Sequence, residues 1–176
     1  MKLFTQIKTV YDAACTTRFH TVKDMGYQEL SSHQWGVAHI INVLYPNASK
    51  DLLLASMYHD CGESYTGDVP FPIKREMPHL KELLDAAELG WLEKYSIDYY
   101  THLSDAEKMM LKFADMVEGA LYCVRQIESG NQNAFSPLAK WVEALGHFAK
   151  STPEKEVWRK LAVYQNHLRF DPPGEE

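Results

Sequence analysis

The chain has 176 residues, 45% of them hydrophobic, and a formal net charge of −6 at pH 7. This length predicts one domain over residues 1–170, and the acidic balance excludes a basic surface for non-specific nucleic-acid binding. No apolar stretch approaches the roughly 18–20 residues of a membrane span, and three cysteines without close pairing indicate a reducing compartment. We therefore expect a cytoplasmic protein that binds neither membrane nor nucleic acid.

Apolar residues recur at helical spacing from the start of the chain. One face of a first predicted helix carries Leu3, Phe4, Ile7, Val10, Tyr11 and Ala14. A loop over residues 16–30 then leads to a second helix, which Ser31 or Ser32 would cap and Pro46 would stop. Asn47 or Ser49 would open a third helix.

The second half of the chain carries clearer helix-start signals. Residues 65–72 hold one glycine and two prolines, which predicts a loop. A capping box at residues 104–107 opens the longest helix, which would run to about Ser129. Further helix starts are predicted at Pro78, Ser136–Pro137 and Thr152–Pro153. These patterns predict an all-α fold, a single compact bundle of about seven to eight helices, with a flexible tail over residues 171–176.

The pair His59–Asp60 is the most informative feature of the sequence. It follows the apolar run 52–58, and a buried helix does not usually end in an imidazole and a carboxylate side by side. His33 lies in the first turn of the preceding predicted helix. The short connection after Pro46 would pack these two helices antiparallel, which brings His33 beside the pair.

Asp115 lies in the middle of an apolar stretch of the longest predicted helix. An unpartnered aspartate there would cost of the order of several kcal/mol, which a metal ion or an arginine would offset. Together, His33, His59, Asp60 and Asp115 predict a site for one divalent metal ion such as Co²⁺, Mn²⁺ or Zn²⁺. The alternative is that Asp115 faces solvent.

This order of ligands resembles that of the HD-domain phosphohydrolases, and longer strings resemble their 5′-deoxynucleotidase-like branch. Those strings are Thr17–Phe19, Glu29–His33, Ala55–Lys74 and Lys112–Met116. The resemblance spans about residues 16–130. It implies metal-dependent hydrolysis of the 5′ phosphoester of a deoxynucleotide.

The resemblance also implies roles for four further residues. Glu63 resembles the catalytic acid, Asp68 the carboxylate that accepts from the sugar 3′-hydroxyl, and Arg18 the guanidinium that holds the phosphate. Phe19 stands where much of the family has tryptophan, and its ring can stack on a base. From the residues alone, Glu63 and Arg18 could instead be surface charges, and Asp68 could make an Asx turn after Gly67.

The substrate could be a deoxynucleoside monophosphate or triphosphate. A triphosphate needs several cations at close range, and Lys74, Arg75 and Lys112 lie near the predicted site. Compact members of the branch, some of them phage-encoded, resemble this chain in length, and some of these members act as dATP triphosphohydrolases. The prediction therefore leans to a dATP or dNTP triphosphohydrolase that releases deoxynucleoside and triphosphate. The alternative is a 5′-deoxynucleotidase acting on monophosphates, with these cations in solvent.

Three other classes compete with this prediction. They are a metal-binding module without turnover, a hydrolase of cyclic nucleotides or (p)ppGpp, and a helical interaction protein. We also expect a homo-oligomer, because six aromatic residues are many for a small domain and some could form an interface. These are Trp91, Tyr95, Tyr99, Tyr100, Trp141 and Trp158.

Overall fold

The computed structural model describes residues 3–170, without the side chains of residues 169 and 170. Nine α-helices lie in this part of the chain, and seven of them have nine or more residues, which confirms the predicted all-α fold. They are α1 (Leu3–Ala13), α2 (Leu30–Leu44), α3 (Lys50–Tyr58), α4 (Glu63–Thr66), α5 (Phe71–Glu76), α6 (Pro78–Lys94), α7 (Asp105–Glu128), α8 (Phe135–Phe148) and α9 (Thr152–Phe170). The tail predicted to be flexible, residues 171–176, lies outside the described residues.

The longest helix, α7, is the centre of the main core. It packs against α2, α3, α8 and α9. The fully buried side chains of this core include Ile41, Leu52, Phe113, Leu138 and Leu145. A second, smaller cluster under α1 and α6 consists of Ala13, Cys61, Leu92 and Ile97. Within residues 3–170, no helix combines the length and the apolar character that crossing a membrane requires.

A short antiparallel ribbon precedes α2, where the sequence predicted only a loop. Its strands are β1 (Thr17–Arg18) and β2 (Gln28–Glu29), and Arg18 lies opposite Gln28. Because β2 runs directly into α2, the ribbon fixes Arg18 close to the start of that helix.

Ser31 and Ser32 do not cap α2, so that prediction was wrong. The helix begins at Leu30, and the residue before it makes no side-chain cap bond. Instead, the amides of Leu30 and Ser31 donate to the carbonyls of Thr16 and Ala14 at 2.9 and 3.0 Å. The segment around the ribbon therefore satisfies amides that a capping side chain would otherwise bond.

The structure confirms two other predicted helix starts. Ser49 caps α3 by accepting from the amide of Leu52. Ser104 and Glu107 form a complete capping box at the start of α7. The predicted loop over residues 65–72 is shorter than expected, because α4 ends at its beginning and α5 begins at its end.

Candidate metal centre

Three helices bring the four predicted metal ligands together. His33 lies in the first turn of α2, His59 and Asp60 follow the end of α3, and Asp115 lies in the middle of α7. α2 packs against α3, and His33 near the start of α2 lies beside His59 just after the end of α3. One donor atom from each residue falls within 4.8 Å of all the others.

The spacing of these donors fits a single metal ion. Nε2 of His33 lies 3.2 Å from Nε2 of His59, 3.4 Å from Oδ2 of Asp60 and 3.5 Å from Oδ1 of Asp115. A metal bound at about 2.0–2.2 Å holds neighbouring ligand atoms roughly 3.0–3.5 Å apart. Two imidazoles and two carboxylates also form a donor set that Zn²⁺, Mn²⁺ and Co²⁺ accept.

Both imidazoles present Nε2 to this centre because their other nitrogen is bonded elsewhere. Nδ1 of His59 lies 3.0 Å from the carbonyl oxygen of Ser56, which can only accept. Nδ1 of His33 lies 2.5 Å from Oε2 of Glu118. Each Nδ1 therefore carries a proton, and Nε2 is the nitrogen of each ring that could give its lone pair to a cation at the centre.

The two carboxylates of the centre are held in their charged form. Burial alone would raise the pKa of Asp115, but Lys112 and the histidines outweigh it and lower that pKa to about 2. The pKa of Asp60 lies well below its ordinary value, because His59, His33 and Arg18 outweigh its burial. Asp115 is only 9% exposed, so the alternative in which it faces solvent is wrong.

Arg18 lies at the edge of the centre. Its Nη1 donates to Asp60, and its Nη2 is 4.0 Å from Oδ1 of Asp115. The residue is 7% exposed, so it is not an ordinary surface charge. Its buried Nε has no hydrogen-bond partner within the described residues. The guanidinium therefore reaches the ligands' carboxylates and still has a donor to offer.

Glu63 is buried directly after the ligand pair. It is 5% exposed, which contradicts the alternative of a surface acid. Nζ of Lys74 donates to one carboxyl oxygen at 3.3 Å, and the other, Oε2, has no partner among the described residues. Burial and the nearby charge of Asp60 raise the pKa of Glu63 to about 9, although the charges of Arg18 and Lys74 act in the opposite direction. This environment favours a carboxyl group that carries a proton near neutral pH.

A hydrogen bond joins Phe19, the residue after Arg18, to Asp68. The amide of Phe19 donates to Oδ2 of Asp68 at 3.3 Å. Phe19 has a positive φ of 59°, and its ring stacks on that of Tyr122 with centroids 4.9 Å apart. The loop after α4 and the ribbon are thereby joined next to the centre.

These residues open into a cavity of about 450 Å³. Such a volume is in the range of small-molecule sites. All of the predicted catalytic and substrate-binding residues line it, together with the ligands Asp60 and Asp115. The full lining consists of Arg18, Phe19, Thr21, Val22, Lys23, Asp60, Glu63, Asp68, Val69, Pro70, Phe71, Pro72, Lys74, Lys112, Asp115, Asn133, Ser136, Pro137, Lys140 and Trp141.

The three cations predicted to lie near the phosphate site differ in their positions in the structure. Lys112 pairs with Asp115 at 2.8 Å, and Lys74 pairs with Glu63 at 3.3 Å. Both lysines are therefore bonded to carboxyl groups of the site. Arg75 is exposed and does not line the cavity. Lysines that the sequence analysis did not consider, Lys23 and Lys140, do line it.

One wall of the cavity belongs to α8, for which the sequence showed no motif. Trp141 stacks on Phe71 with ring centroids 5.7 Å apart. It also lies against Gly119 of α7, where an added Cβ would come within 3.0 Å of the indole. Gly119 is therefore the feature of the sequence that could have indicated a large side chain packed against α7.

Comparisons with known proteins agree with this arrangement. The family model described as 5′-deoxynucleotidase YfbR-like matches residues 7–154. A 5′-deoxynucleotidase of Yersinia pestis is 25% identical, with 88% of each chain covered. A 5′-deoxynucleotidase of Photorhabdus laumondii is 27% identical at the same coverage of 88%.

Two solved structures share the fold. The PH0347 protein of Pyrococcus horikoshii has a TM-score of 0.69 and 21% identity, over 93% of this chain and 99% of that one. The HD phosphohydrolase DatZ of cyanophage S-2L has a TM-score of 0.64 and 16% identity, over 94% of this chain and 97% of that one. The latter was solved bound to dA and one catalytic Zn²⁺ ion.

Proposed function

Because the chain belongs to the YfbR-like 5′-deoxynucleotidase family, we propose that it is a metal-dependent phosphohydrolase that cleaves the 5′ phosphoester of deoxynucleotides. The observation that carries this proposal is the convergence of His33, His59, Asp60 and Asp115 within 4.8 Å beside a cavity. Its lining places acids, cations and aromatic rings around one small-molecule site.

The four ligands would hold one divalent ion. A bound ion of this kind polarises a phosphate oxygen and lowers the pKa of a water molecule. The Zn²⁺ ion found in the cyanophage enzyme makes Zn²⁺ the first ion to test, with Mn²⁺ and Co²⁺ beside it. The sequence and the donor set accept all three.

The residues around the ion take complementary roles in this proposal. Glu63 holds a proton in a buried setting and donates it to the leaving 5′ oxygen. Arg18 balances charge on the phosphate through its guanidinium. Asp68 accepts a hydrogen bond from the sugar 3′-hydroxyl, and its bond to the amide of Phe19 fixes its direction. Phe19 lines the cavity and limits the room around the sugar.

We propose a triphosphate as the preferred substrate because of the charge of the cavity. Five cationic side chains and four carboxyl groups line it, and with Glu63 protonated a divalent ion would raise the positive excess to about four. That excess suits the roughly three to four negative charges of a triphosphate better than a monophosphate. Lys74, Lys112 and Lys140 are the side chains that would contact the added phosphates. dATP is the expected substrate, with Phe19 as the stacking partner of its adenine base.

A 5′-deoxynucleotidase that acts on monophosphates remains the second candidate. The names of the Yersinia and Photorhabdus relatives favour it. The pairs Lys112–Asp115 and Lys74–Glu63 also favour it, because these lysines already have carboxylate partners.

Product analysis separates the two candidates. Metal-loaded protein is incubated with dATP, dAMP, dGTP, dCTP, dTTP and ATP, and the products are resolved by HPLC. Deoxyadenosine with triphosphate from dATP supports the triphosphohydrolase. Deoxynucleosides and phosphate from monophosphates alone establish the 5′-deoxynucleotidase instead. Absence of turnover on every deoxynucleotide contradicts both and favours a binding module.

Lys140 offers a sharper test of the triphosphate preference. It lines the cavity and makes no ion pair within residues 3–170. We expect Lys140→Gln to lower kcat/KM for dATP by about 10-fold, the effect of roughly 1.4 kcal/mol, and to leave dAMP unaffected. Lys160→Gln, an exposed position on α9, is the matched control. Equal effects on dATP and dAMP would contradict the assignment of Lys140 to the outer phosphates.

We also propose that the enzyme acts as a homo-oligomer in the cytoplasm. The three cysteines are free, which suits a reducing compartment. Of the six aromatic residues considered for an interface, five are partly buried and only Tyr100 is exposed, at 48%. The exposed apolar side chains of α1 are a better candidate surface for contact between copies.

A further inference from the structure

Glu118 is a buried carboxylate next to the metal centre that has no role in the proposed reaction. It is 8% exposed and lies one helical turn after Asp115 on α7. Residues three apart on a helix share a face, so Glu118 is directed towards the same side of the bundle as Asp115. A charge buried in this way is costly unless its oxygens are bonded.

Both oxygens of Glu118 are bonded. Oε2 lies 2.5 Å from Nδ1 of His33, and Oε1 accepts from Nε2 of Gln28 at 2.6 Å. His33 is itself completely buried, at 0% exposure, and Gln28 is 4% exposed. Gln28 uses its Nε2 in this contact, whereas its buried Oε1 has no hydrogen-bond partner among the described residues.

The packing of α2 against α7 leaves room for Glu118 only because residue 36 is glycine. A Cβ added at Gly36 would lie 2.7 Å from Cγ of Glu118 and 3.3 Å from its Oε1. That approach is closer than real Cβ contacts. Gly36 thus fixes the path of the glutamate side chain from α7 to His33.

The ribbon supplies the other end of this network. Gln28 lies in β2 opposite Arg18 of β1, so the residue that holds Glu118 is paired with the residue proposed to hold the phosphate. Three contacts therefore connect Arg18, Gln28, Glu118 and His33 in series, and His33 in turn meets His59 at the centre.

We propose that Glu118 is the positioning residue of the metal centre. Its carboxylate keeps the proton of His33 on Nδ1 and orients the ring so that Nε2 faces His59, Asp60 and Asp115. Gln28 in turn holds Glu118. A carboxylate bonded to a metal-ligating histidine fixes the ring and strengthens it as a ligand. The inference rests on the metal site of the proposed function and requires no particular nucleotide.

Metal affinity tests this role without substrate. Zn²⁺-loaded wild type, Glu118→Ala and Glu118→Gln are titrated with a competing chelator to obtain the Kd for Zn²⁺. We expect Glu118→Ala to weaken binding about 10- to 100-fold. Glu118→Gln keeps an acceptor for Nδ1 and should restore part of the affinity. Glu128→Gln, on the same helix but bonded to Tyr164, should leave the Kd unchanged.

The visible absorption of Co²⁺-loaded protein is a second readout, because it reports the geometry of the ligands around the ion. We expect Glu118→Ala to change this spectrum and Glu128→Gln to preserve it. Should Glu118→Ala fail to fold, Gly36→Ala displaces the glutamate without removing it, and the same loss of affinity is expected.

These measurements distinguish a failure of the role proposed for Glu118 from a failure of the proposed function. A folded Glu118→Ala protein with a lower melting temperature, an unchanged Kd and an unchanged Co²⁺ spectrum would show a purely structural role and overturn the proposal. A wild type that binds no metal would overturn both this proposal and the proposed function. A wild type that binds metal but cleaves no deoxynucleotide would refute only the latter, and the chelator titration would still decide the role of Glu118.

Discussion

Two buried glutamates of this site differ in the partners of their carboxyl groups. Glu118 uses both oxygens, one for His33 and one for Gln28. Glu63 bonds Lys74 through Oε1, while its Oε2 has no partner within residues 3–170 and its side chain lines the cavity. A fully bonded group suits a positioning role, and a group with an available oxygen suits contact with substrate.

This difference predicts separate effects of the two substitutions. We expect Glu63→Gln to lower kcat about 10²- to 10⁴-fold, the usual contribution of a positioned general acid. Its Kd for Zn²⁺ should equal that of wild type, because Glu63 is not among the four ligands. Steady-state kinetics and chelator titration of the same preparation measure both quantities. Wild-type turnover by Glu63→Gln would remove Glu63 from the mechanism.

At the residue scale, the sequence was sufficient to predict that the four candidate metal ligands meet. His33, His59, Asp60 and Asp115 converge as their order and the short α2–α3 connection predicted. The sequence did not reveal Glu118, because a glutamate near the middle of a helix matches a solvent-exposed position equally well. Its role depends on the approach of α2 to α7 at Gly36, which is a property of packing rather than of spacing.

At the element scale, one side chain joins the start of α3, the helix that leads into His59 and Asp60, to the start of α7, which carries Asp115. Glu107 accepts from the amide and hydroxyl of Ser104 at the start of α7. It also accepts from the hydroxyl of Ser49, which caps α3, at 2.5 Å. These hydrogen bonds lower the pKa of Glu107 from 4.5 to about 2. The carboxylate therefore fixes the start of α3 relative to that of α7.

This lowered pKa predicts the direction of a pH effect. A group whose pKa falls on folding stabilises the folded state above its unfolded pKa, here about 4.5, and loses that contribution as the pH falls towards about 2. We expect Glu107→Gln to lower the melting temperature at about pH 6. The difference from wild type should shrink at about pH 3, as measured by circular dichroism.

Asp105→Asn is the matched control for this experiment. Asp105 lies in the same first turn, and its ion pair is a weak contact with Lys108 at 3.8 Å. Its substitution should change the melting temperature little at either pH. A Glu107→Gln difference that stays constant from about pH 6 to pH 3 would mean that the carboxylate charge does not contribute through the capping box.

The elements themselves were predictable where local chemistry decides them. The capping box at Ser104 and the proline at position 78 mark α7 and α6 in the structure as they do in the sequence. The start of α2 was not predictable, because main-chain carbonyls of Ala14 and Thr16 replace a capping side chain. The ribbon was also missed, since two residues per strand are too few to show an alternating pattern.

At the scale of the whole molecule, the apolar face of α1 is unusually exposed. Leu3, Phe4, Ile7 and Tyr11 are 72%, 74%, 59% and 76% exposed. An exposed apolar patch of this kind is typical of a protein interface. Since we propose a homo-oligomer, we expect this face to form the contact between copies of the chain.

Analytical ultracentrifugation of surface variants tests this expectation, because it measures the oligomeric state. We expect wild type to sediment as an oligomer and Ile7→Asp to shift it towards the monomer, because a charge would be buried in the contact. Trp35→Asp, at an exposed position on α2, is the control and should preserve the assembly. A monomeric wild type, or an assembly broken by Trp35→Asp but not by Ile7→Asp, would contradict the assignment to α1.

The central claim is that the four-ligand centre carries out deoxynucleotide hydrolysis, and one measurement tests it most directly. Deoxynucleoside release from dATP and dAMP is followed for wild type and Asp115→Ala, each stripped with chelator and then reloaded with Zn²⁺, Mn²⁺ or Co²⁺. We predict that stripped wild type is inactive, that reloading restores turnover, and that Asp115→Ala neither binds the ion nor recovers activity. Turnover that survives in the stripped protein, or in Asp115→Ala, would contradict the account.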